Sequence, residues 1–131
     1  MIDTLLNRGK ANLKIAKMIY NATDDYLELT MAAFHIQQAV ELALKHILEI
    51  NGIDYPYSHD ILELLDVIDD NNISLNDDQW IRMNSEKLTS WGSETNYVRG
   101  YLGDRCKMDT AITKVDSFLN SSEDLIPSVL L

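Results

Sequence analysis

Cysteine, positive charge and long apolar runs are all scarce in this chain of 131 residues. The single cysteine, Cys106, excludes an intramolecular disulfide and a multi-cysteine zinc site. Eleven Lys and Arg against 21 Asp and Glu give a formal net charge of −10, which argues against broad, sequence-independent nucleic-acid binding. No apolar run approaches the roughly 18 residues needed to span a bilayer, and the N-terminal stretch has no signal-peptide core. These absences predict a cytoplasmic protein without membrane contact.

The sequence also lacks the common catalytic and ligand-binding motifs. It contains no glycine-rich phosphate loop, no G-x-S-x-G elbow and no H-E-x-x-H pair. The histidines at positions 35, 46 and 59 do not have metal-site spacing, and no histidine lies near Cys106 in the sequence. We therefore predict no catalytic residue, no metal and no cofactor from motifs alone.

Helical periodicity runs through nearly every long segment. The first helix has its apolar stripe spaced 4-3-4-3-4, at Ile2, Leu6, Gly9, Leu13, Ala16 and Tyr20. A second helix, ending near Asn51-Gly52, is apolar around most of its circumference and is expected at the centre of the fold. The pattern predicts an all-α, up-and-down bundle of four to five helices. We expect one domain over residues 1–131, with 121–131 as a tail that ends in the apolar Val129-Leu130-Leu131.

Capping chemistry predicts where the other helices begin. The expected N-terminal caps are, in chain order, Thr23 or Asp24, Ser58, Asn76 with Gln79 as its capping box, and Asp104. The helix after Asn76 carries Trp80 to Trp91, and Ser90–Gly103 is expected to be a loop or a broken connection.

Three lysines of the first helix, Lys10, Lys14 and Lys17, fall on one stripe, although the chain is acidic overall. Such a stripe is either a solvated face or a surface that docks on acidic groups of a partner or a second copy.

Polar residues interrupt the apolar second helix at His35, Gln38 and Glu41, on adjoining positions of one side. Glu41 and Lys45 have the favoured i,i+4 orientation for an ion pair. This group is either a buried network that fixes helix register or one wall of a ligand site. His59, just before the third helix, is expected mainly in a turn and cap, with a ligand-lining role as the alternative.

The densest cluster of functional residue types lies between Glu94 and Arg105. Arg99 and Arg105 offer planar forks for phosphate or carboxylate, while Tyr97 and Tyr101 offer stacking faces. These are the groups that a phosphate-bearing ligand or a nucleotide base needs. Alternatively, the arginines pair with nearby acidic residues and brace the loop.

Three pieces of the chain together resemble the HEPN (higher eukaryotes and prokaryotes nucleotide-binding) domain family. They are Phe34 to Lys45 (FHIQQAVELALK), Ser58-His59-Asp60, and Tyr97 to Arg105. The resemblance implies a helical bundle that is usually dimeric and is often encoded beside a minimal nucleotidyltransferase, as a two-component or toxin–antitoxin pair. In several branches it also implies a metal-independent ribonuclease with the motif Arg-x(4–6)-His.

That ribonuclease motif is absent here, because all three histidines precede Arg82 and none follows Arg8 closely. We therefore expect a binding module that engages a nucleotide, RNA or a cognate nucleotidyltransferase. The alternatives are a divergent metal-independent ribonuclease, in which Arg99 acts with a histidine from elsewhere in the fold, and a purely structural dimerisation module. The candidate ligand-binding residues are Tyr97, Arg99, Tyr101, Arg105, His35, Glu41 and His59.

Overall fold

Six helices and their connections make up residues 2–92 and 105–125, which are the residues that the computed structural model describes. The helices are α1 (Leu5–Ala22), α2 (Tyr26–Ile50), α3 (Ile61–Asp70), α4 (Gln79–Met83), α5 (Ser85–Trp91) and α6 (Arg105–Ser122). No strand occurs in these two ranges, and the predicted all-α bundle is confirmed.

Helices α1 and α2 form an antiparallel hairpin with a short turn. Thr4 caps α1 by accepting a hydrogen bond from the Asn7 N–H, and Asp25 caps α2 in the same way. Gly9 lets the two backbones approach closely, because a Cβ at this position would lie only 2.9 Å from the Ala39 carbonyl oxygen. The close packing of α1 on α2 therefore depends on the absence of a side chain at residue 9.

The central position predicted for α2 is also confirmed. Helix α2 contacts α1 and α6 as well as α3 and α5, so its apolar residues are covered on several sides. Ile36, Val40, Leu44 and Ile47 are completely buried. The polar groups that α2 carries are consequently placed against other elements and need partners there.

Three predicted caps are wrong by one or two residues. Helix α2 is capped by Asp25 instead of Thr23 or Asp24, and α3 by Asp60 instead of Ser58. The Ser58 hydroxyl instead accepts a hydrogen bond from the Asp60 backbone N–H, in the turn before α3. Helix α4 is preceded by Asp78 instead of Asn76. The backbone at Asp77 is left-handed, with a φ of 55°, so this residue cannot belong to a right-handed helix.

The single helix predicted from Trp80 to Trp91 is two short helices. At Asn84 the backbone leaves the helical region, with φ −116° and ψ 21°, and the side-chain amide donates to the Trp80 carbonyl. The Trp80 carbonyl thus accepts from both the main-chain N–H and the side-chain amide of Asn84 at the junction of α4 and α5. Ser90 and Trp91 belong to α5, while the predictions for residues 93–104 and for 126–131 lie outside the described residues.

The lysine stripe of α1 meets acidic groups of its own chain. Lys10 forms an ion pair with Glu123, and Lys17 Nζ lies 3.0 Å from Asp116 on α6. Two of the three lysines thus help to hold α6 beside α1 instead of facing an unmatched surface.

Candidate functional site

A buried carboxylate, Glu41, is the centre of a polar cluster between α2 and the connection to α3. Its side chain is only 4% exposed. Oε1 accepts hydrogen bonds from Gln37 Nε2 and His59 Nδ1, each at 2.9 Å, and Oε2 accepts from Lys45 Nζ at 3.0 Å. One acidic group therefore joins two neighbouring turns of α2 to a residue 18 positions later in the chain.

The surroundings of Glu41 favour its charged form. Burial by itself raises the pKa of this carboxyl, but the hydrogen bonds from Gln37, Lys45 and His59 more than offset burial and lower the pKa below its ordinary value. An ionised carboxylate can only accept hydrogen bonds, so the proton in its contact with His59 resides on Nδ1. Glu41 thus fixes both the orientation and the proton position of the imidazole.

His59 connects this buried group to solvent. It precedes α3, where Asp60 accepts hydrogen bonds from the Leu62 and Glu63 N–H groups and sets the start of the helix. The His59 side chain is 69% exposed even though Nδ1 is turned inward, so the ring edge that carries Nε2 faces solvent. The fully exposed Tyr57 ring stands edge-on to it, with 6.3 Å between the ring centroids.

The buried side of the cluster is closed by glutamines and by Lys45. Gln38 Nε2 donates to Gln37 Oε1 at 2.9 Å, which extends the network one residue further. Lys45, 12% exposed, also lies 5.7 Å from the centre of the Tyr55 ring. These polar groups are satisfied within the chain, and His59 is the member of the cluster that is open to solvent.

The predicted group of His35, Gln38 and Glu41 is brought together only in part. Gln38 reaches Glu41 through Gln37, a residue that the sequence interpretation missed although its i,i+4 spacing to Glu41 indicates such a pair. His35 lies six residues before Glu41, about 120° away around the helix, and its Nδ1 is 2.7 Å from Asn12 Oδ1 on α1. Burial lowers the pKa of His35 and favours its neutral form.

Arg105 lies at the opposite end of α2 from the cluster. Its guanidinium donates to the carbonyls of Tyr20 and Thr23 at 2.8 Å each and stacks 4.1 Å from the centre of the Tyr20 ring. The turn that it contacts precedes α2, and Glu41 follows about 24 Å further along that helix at 1.5 Å per residue. These contacts are those of a brace at the end of α1, and a ligand-binding role for Arg105 stays a prediction. Tyr97, Arg99 and Tyr101 lie outside the described residues.

A cavity of about 520 Å³ between α4 and α6 is separate from this cluster. It is lined in part by Asp77, Asp78 and Lys114, but Asp77 accepts from the Ser117 hydroxyl and Asp78 pairs with Arg82. In the described ranges no group of three or more His, Cys, Asp or Glu side chains is arranged to hold a metal ion. Nor is any helix there long and apolar enough to cross a membrane.

Comparison with known families accounts for nearly the whole chain. The family model of the HEPN domain matches residues 2–125. The chain belongs to the HEPN domain family. This result confirms the resemblance and makes the chain a helical module of a nucleotide- and RNA-related family. No curated protein and no solved structure shows significant similarity to it.

Two of the three segments that carry the HEPN resemblance meet in the polar cluster. The α2 segment from Phe34 to Lys45 supplies Gln37, Glu41 and Lys45, and the Ser58-His59-Asp60 segment supplies His59. The hydrogen bond between Glu41 and His59 is the point at which they join. In this HEPN domain, residues of these two segments therefore form one polar cluster, which we take as the candidate functional site.

Proposed function

We propose that this HEPN domain is a dimeric binding module that engages a nucleotide or RNA, or a cognate minimal nucleotidyltransferase in a two-component or toxin–antitoxin system. The observation that carries the proposal is the exposed His59 imidazole, held by the buried Glu41 carboxylate. A polar network that only fixed helix register would need no solvent-facing member. Here the network ends on a ring that can contact a ligand.

The groups around His59 suit a nucleotide. The exposed Tyr57 ring can stack on a base, and the Nε2 edge of His59 can form a hydrogen bond with a ribose or phosphate group. The net charge of −10 favours a compact ligand or a short RNA contact over a long phosphate backbone.

Arg99, Tyr97 and Tyr101 are the proposed partners of His59 in this site. The chain that leads to them leaves α5 at Gly92, where an added Cβ would lie 2.6 Å from Gln37 side-chain atoms. Gln37 donates directly to Glu41. Arg99, seven residues after Gly92 in the sequence, would supply the positive charge that phosphate requires.

Calorimetric titration with ATP, GTP, their diphosphates and short RNA tests the binding proposal. We expect saturable binding to at least one of these ligands, loss of that binding in Arg99→Ala, and weaker binding in His59→Ala. Arg8→Ala is the matched control, because Arg8 is exposed and pairs only with Asp3 among the described residues. A folded protein that binds none of the ligands, or an Arg99→Ala variant that binds normally, contradicts this part of the proposal.

Light scattering coupled to size-exclusion chromatography tests the dimer, and co-purification with a nucleotidyltransferase encoded beside this gene tests the partner. A monomer at micromolar concentration contradicts the dimer. A folded dimer that binds neither nucleotide nor nucleotidyltransferase favours the purely structural alternative.

A metal-independent ribonuclease is the second candidate, and one observation selects its histidine. His59 is exposed and contacts a carboxylate, whereas His35 is half-buried and its Nδ1 is engaged by Asn12. If the chain cleaves RNA in the presence of a chelator, we expect cleavage to be lost in Arg99→Ala and His59→Ala and kept in His35→Gln. Loss only in His35→Gln contradicts this assignment.

A further inference from the structure

The three histidines of the chain differ sharply in their surroundings. His35 and His46 are half-buried, and burial lowers the pKa of both imidazoles. His35 Nδ1 faces a neutral amide oxygen, that of Asn12. Only His59 combines an exposed ring with a hydrogen bond to a buried, ionised carboxylate.

We propose that Nε2 of His59 is a nucleophile that accepts a phosphoryl group from an electrophilic donor such as the terminal phosphoryl of a nucleoside triphosphate. The geometry supports this role in two ways. The proton on Nδ1 leaves the lone pair of the neutral ring on Nε2, and the exposure of the side chain gives a donor access to it. The donor class rests on the proposed function, but the reactivity of Nε2 can be tested without it.

The reaction balances without a further reagent. The Nε2 lone pair attacks phosphorus and forms a P–N bond, while the P–O bond to the nucleoside diphosphate breaks and the leaving oxygen takes the electron pair. Nδ1 keeps its proton throughout. The positive charge that develops on the ring is stabilised by the Glu41 carboxylate, as a buried carboxylate stabilises an imidazolium in hydrolytic triads.

Three carboxylates contact His59 or lie within four residues of it in the sequence, those of Glu41, Asp60 and Glu63. Lys45 forms an ion pair with Glu41 from the same helix, at 3.0 Å. Asp60 accepts two main-chain hydrogen bonds at the start of α3, and Glu63 accepts from the Ser58 hydroxyl. The ring therefore lies beside the Glu41–Lys45 ion pair and two carboxylates that accept hydrogen bonds.

Potassium phosphoramidate, a small donor that phosphorylates accessible imidazoles, provides the test on the whole chain. We expect the wild type to gain one acid-labile phosphoryl group on His59, mapped by mass spectrometry and assigned to Nε2 by phosphorus NMR. The rate at His59 should exceed the rates at His35 and His46 by at least about tenfold. Glu41→Gln should slow the reaction about tenfold, because a neutral acceptor replaces a charge-assisted hydrogen bond. His59→Asn should abolish it.

Modification of His59 no faster than His46, or linkage through Nδ1, overturns the inference. The comparison of His59 with His46 in the wild type decides whether Nε2 is reactive, even if Glu41→Gln fails to fold. A chain that binds nucleotide but has an unreactive His59 overturns the inference and leaves the proposed binding function intact. If His59 is reactive but the chain binds no nucleotide, the nucleotide donor and the nucleotide-binding part of the proposed function are both overturned. The assignment of Nε2 as a nucleophile then stands.

Discussion

Replacing Glu41 by alanine removes the acceptor of three hydrogen bonds at once. Gln37 is completely buried and Lys45 is 12% exposed, so their donor groups would lose their acceptor with little water to replace it. His59 is exposed and can turn to solvent at small cost. Removing one member of a buried ion pair costs about 3–5 kcal/mol, and the partial exposure of Lys45 places this variant near the lower end, at about 3 kcal/mol.

Urea and thermal unfolding at pH 7 measure this loss. For a domain of this size, about 3 kcal/mol corresponds to a fall in Tm of roughly 10–15 °C. Glu49→Ala is the matched control, since Glu49 is exposed on the same helix, and we expect a change within about 0.5 kcal/mol. Combining Glu41→Leu with Lys45→Met should recover only part of the stability, because it removes the unpaired Lys45 charge while the buried Gln37 amide still lacks its acceptor.

The pH profile gives a second readout of the same residue. Since the native contacts lower the pKa of Glu41, its stabilisation is fully present above the ordinary carboxyl pKa of 4.5 and is lost as the pH falls through the lower native value. Glu41→Gln should lack this acid-dependent component. A loss below about 1 kcal/mol in Glu41→Ala, or an unchanged acid profile in Glu41→Gln, refutes the view that Glu41 organises the cluster.

Three further measurements test the fold around the site. Gly9→Ala should lower stability by about 1 kcal/mol, because overpacking against Ala39 outweighs the helix-propensity gain. A more stable variant would show that α1 and α2 can move apart at little cost. Arg105→Ala should cost about 1 kcal/mol through its lost carbonyl contacts. Arg8→Ala should cost less, because Arg8 and its partner Asp3 are both exposed. Equal losses would argue against a brace. Unfolding free energy should also fall as the pH drops below the ordinary histidine value of 6.5, because burial lowers the native pKa of His35 and of His46. His35→Gln should reduce that slope, and an unchanged slope would contradict the contribution of His35.

The fold class followed from local patterns, whereas several boundaries did not. Apolar spacing in α1 and α2 selected faces that are largely buried, since that spacing is a direct consequence of 3.6 residues per turn. The prediction was wrong at Ile2, which precedes α1 and is 78% exposed. The starts of α2 and α3 depended on single side chains that cap free backbone N–H groups, and α4 starts after the left-handed backbone at Asp77. Neighbouring Asp, Ser, Thr and Asn residues can all cap a helix, so sequence alone does not choose among them.

The candidate site was also predictable only in part from the sequence. Glu41 and Lys45 were paired from their spacing, and the motif segments indicated the HEPN family before any coordinates were considered. That His59 closes onto Glu41, and that His35 turns instead to Asn12, was decided by tertiary structure. A hydrogen bond across 18 residues depends on the path of the connecting chain and on the packing of α3 against α2, and neither leaves a periodic signal. The sequence determined which polar residues were available, and the packing of the helices decided which of them meet.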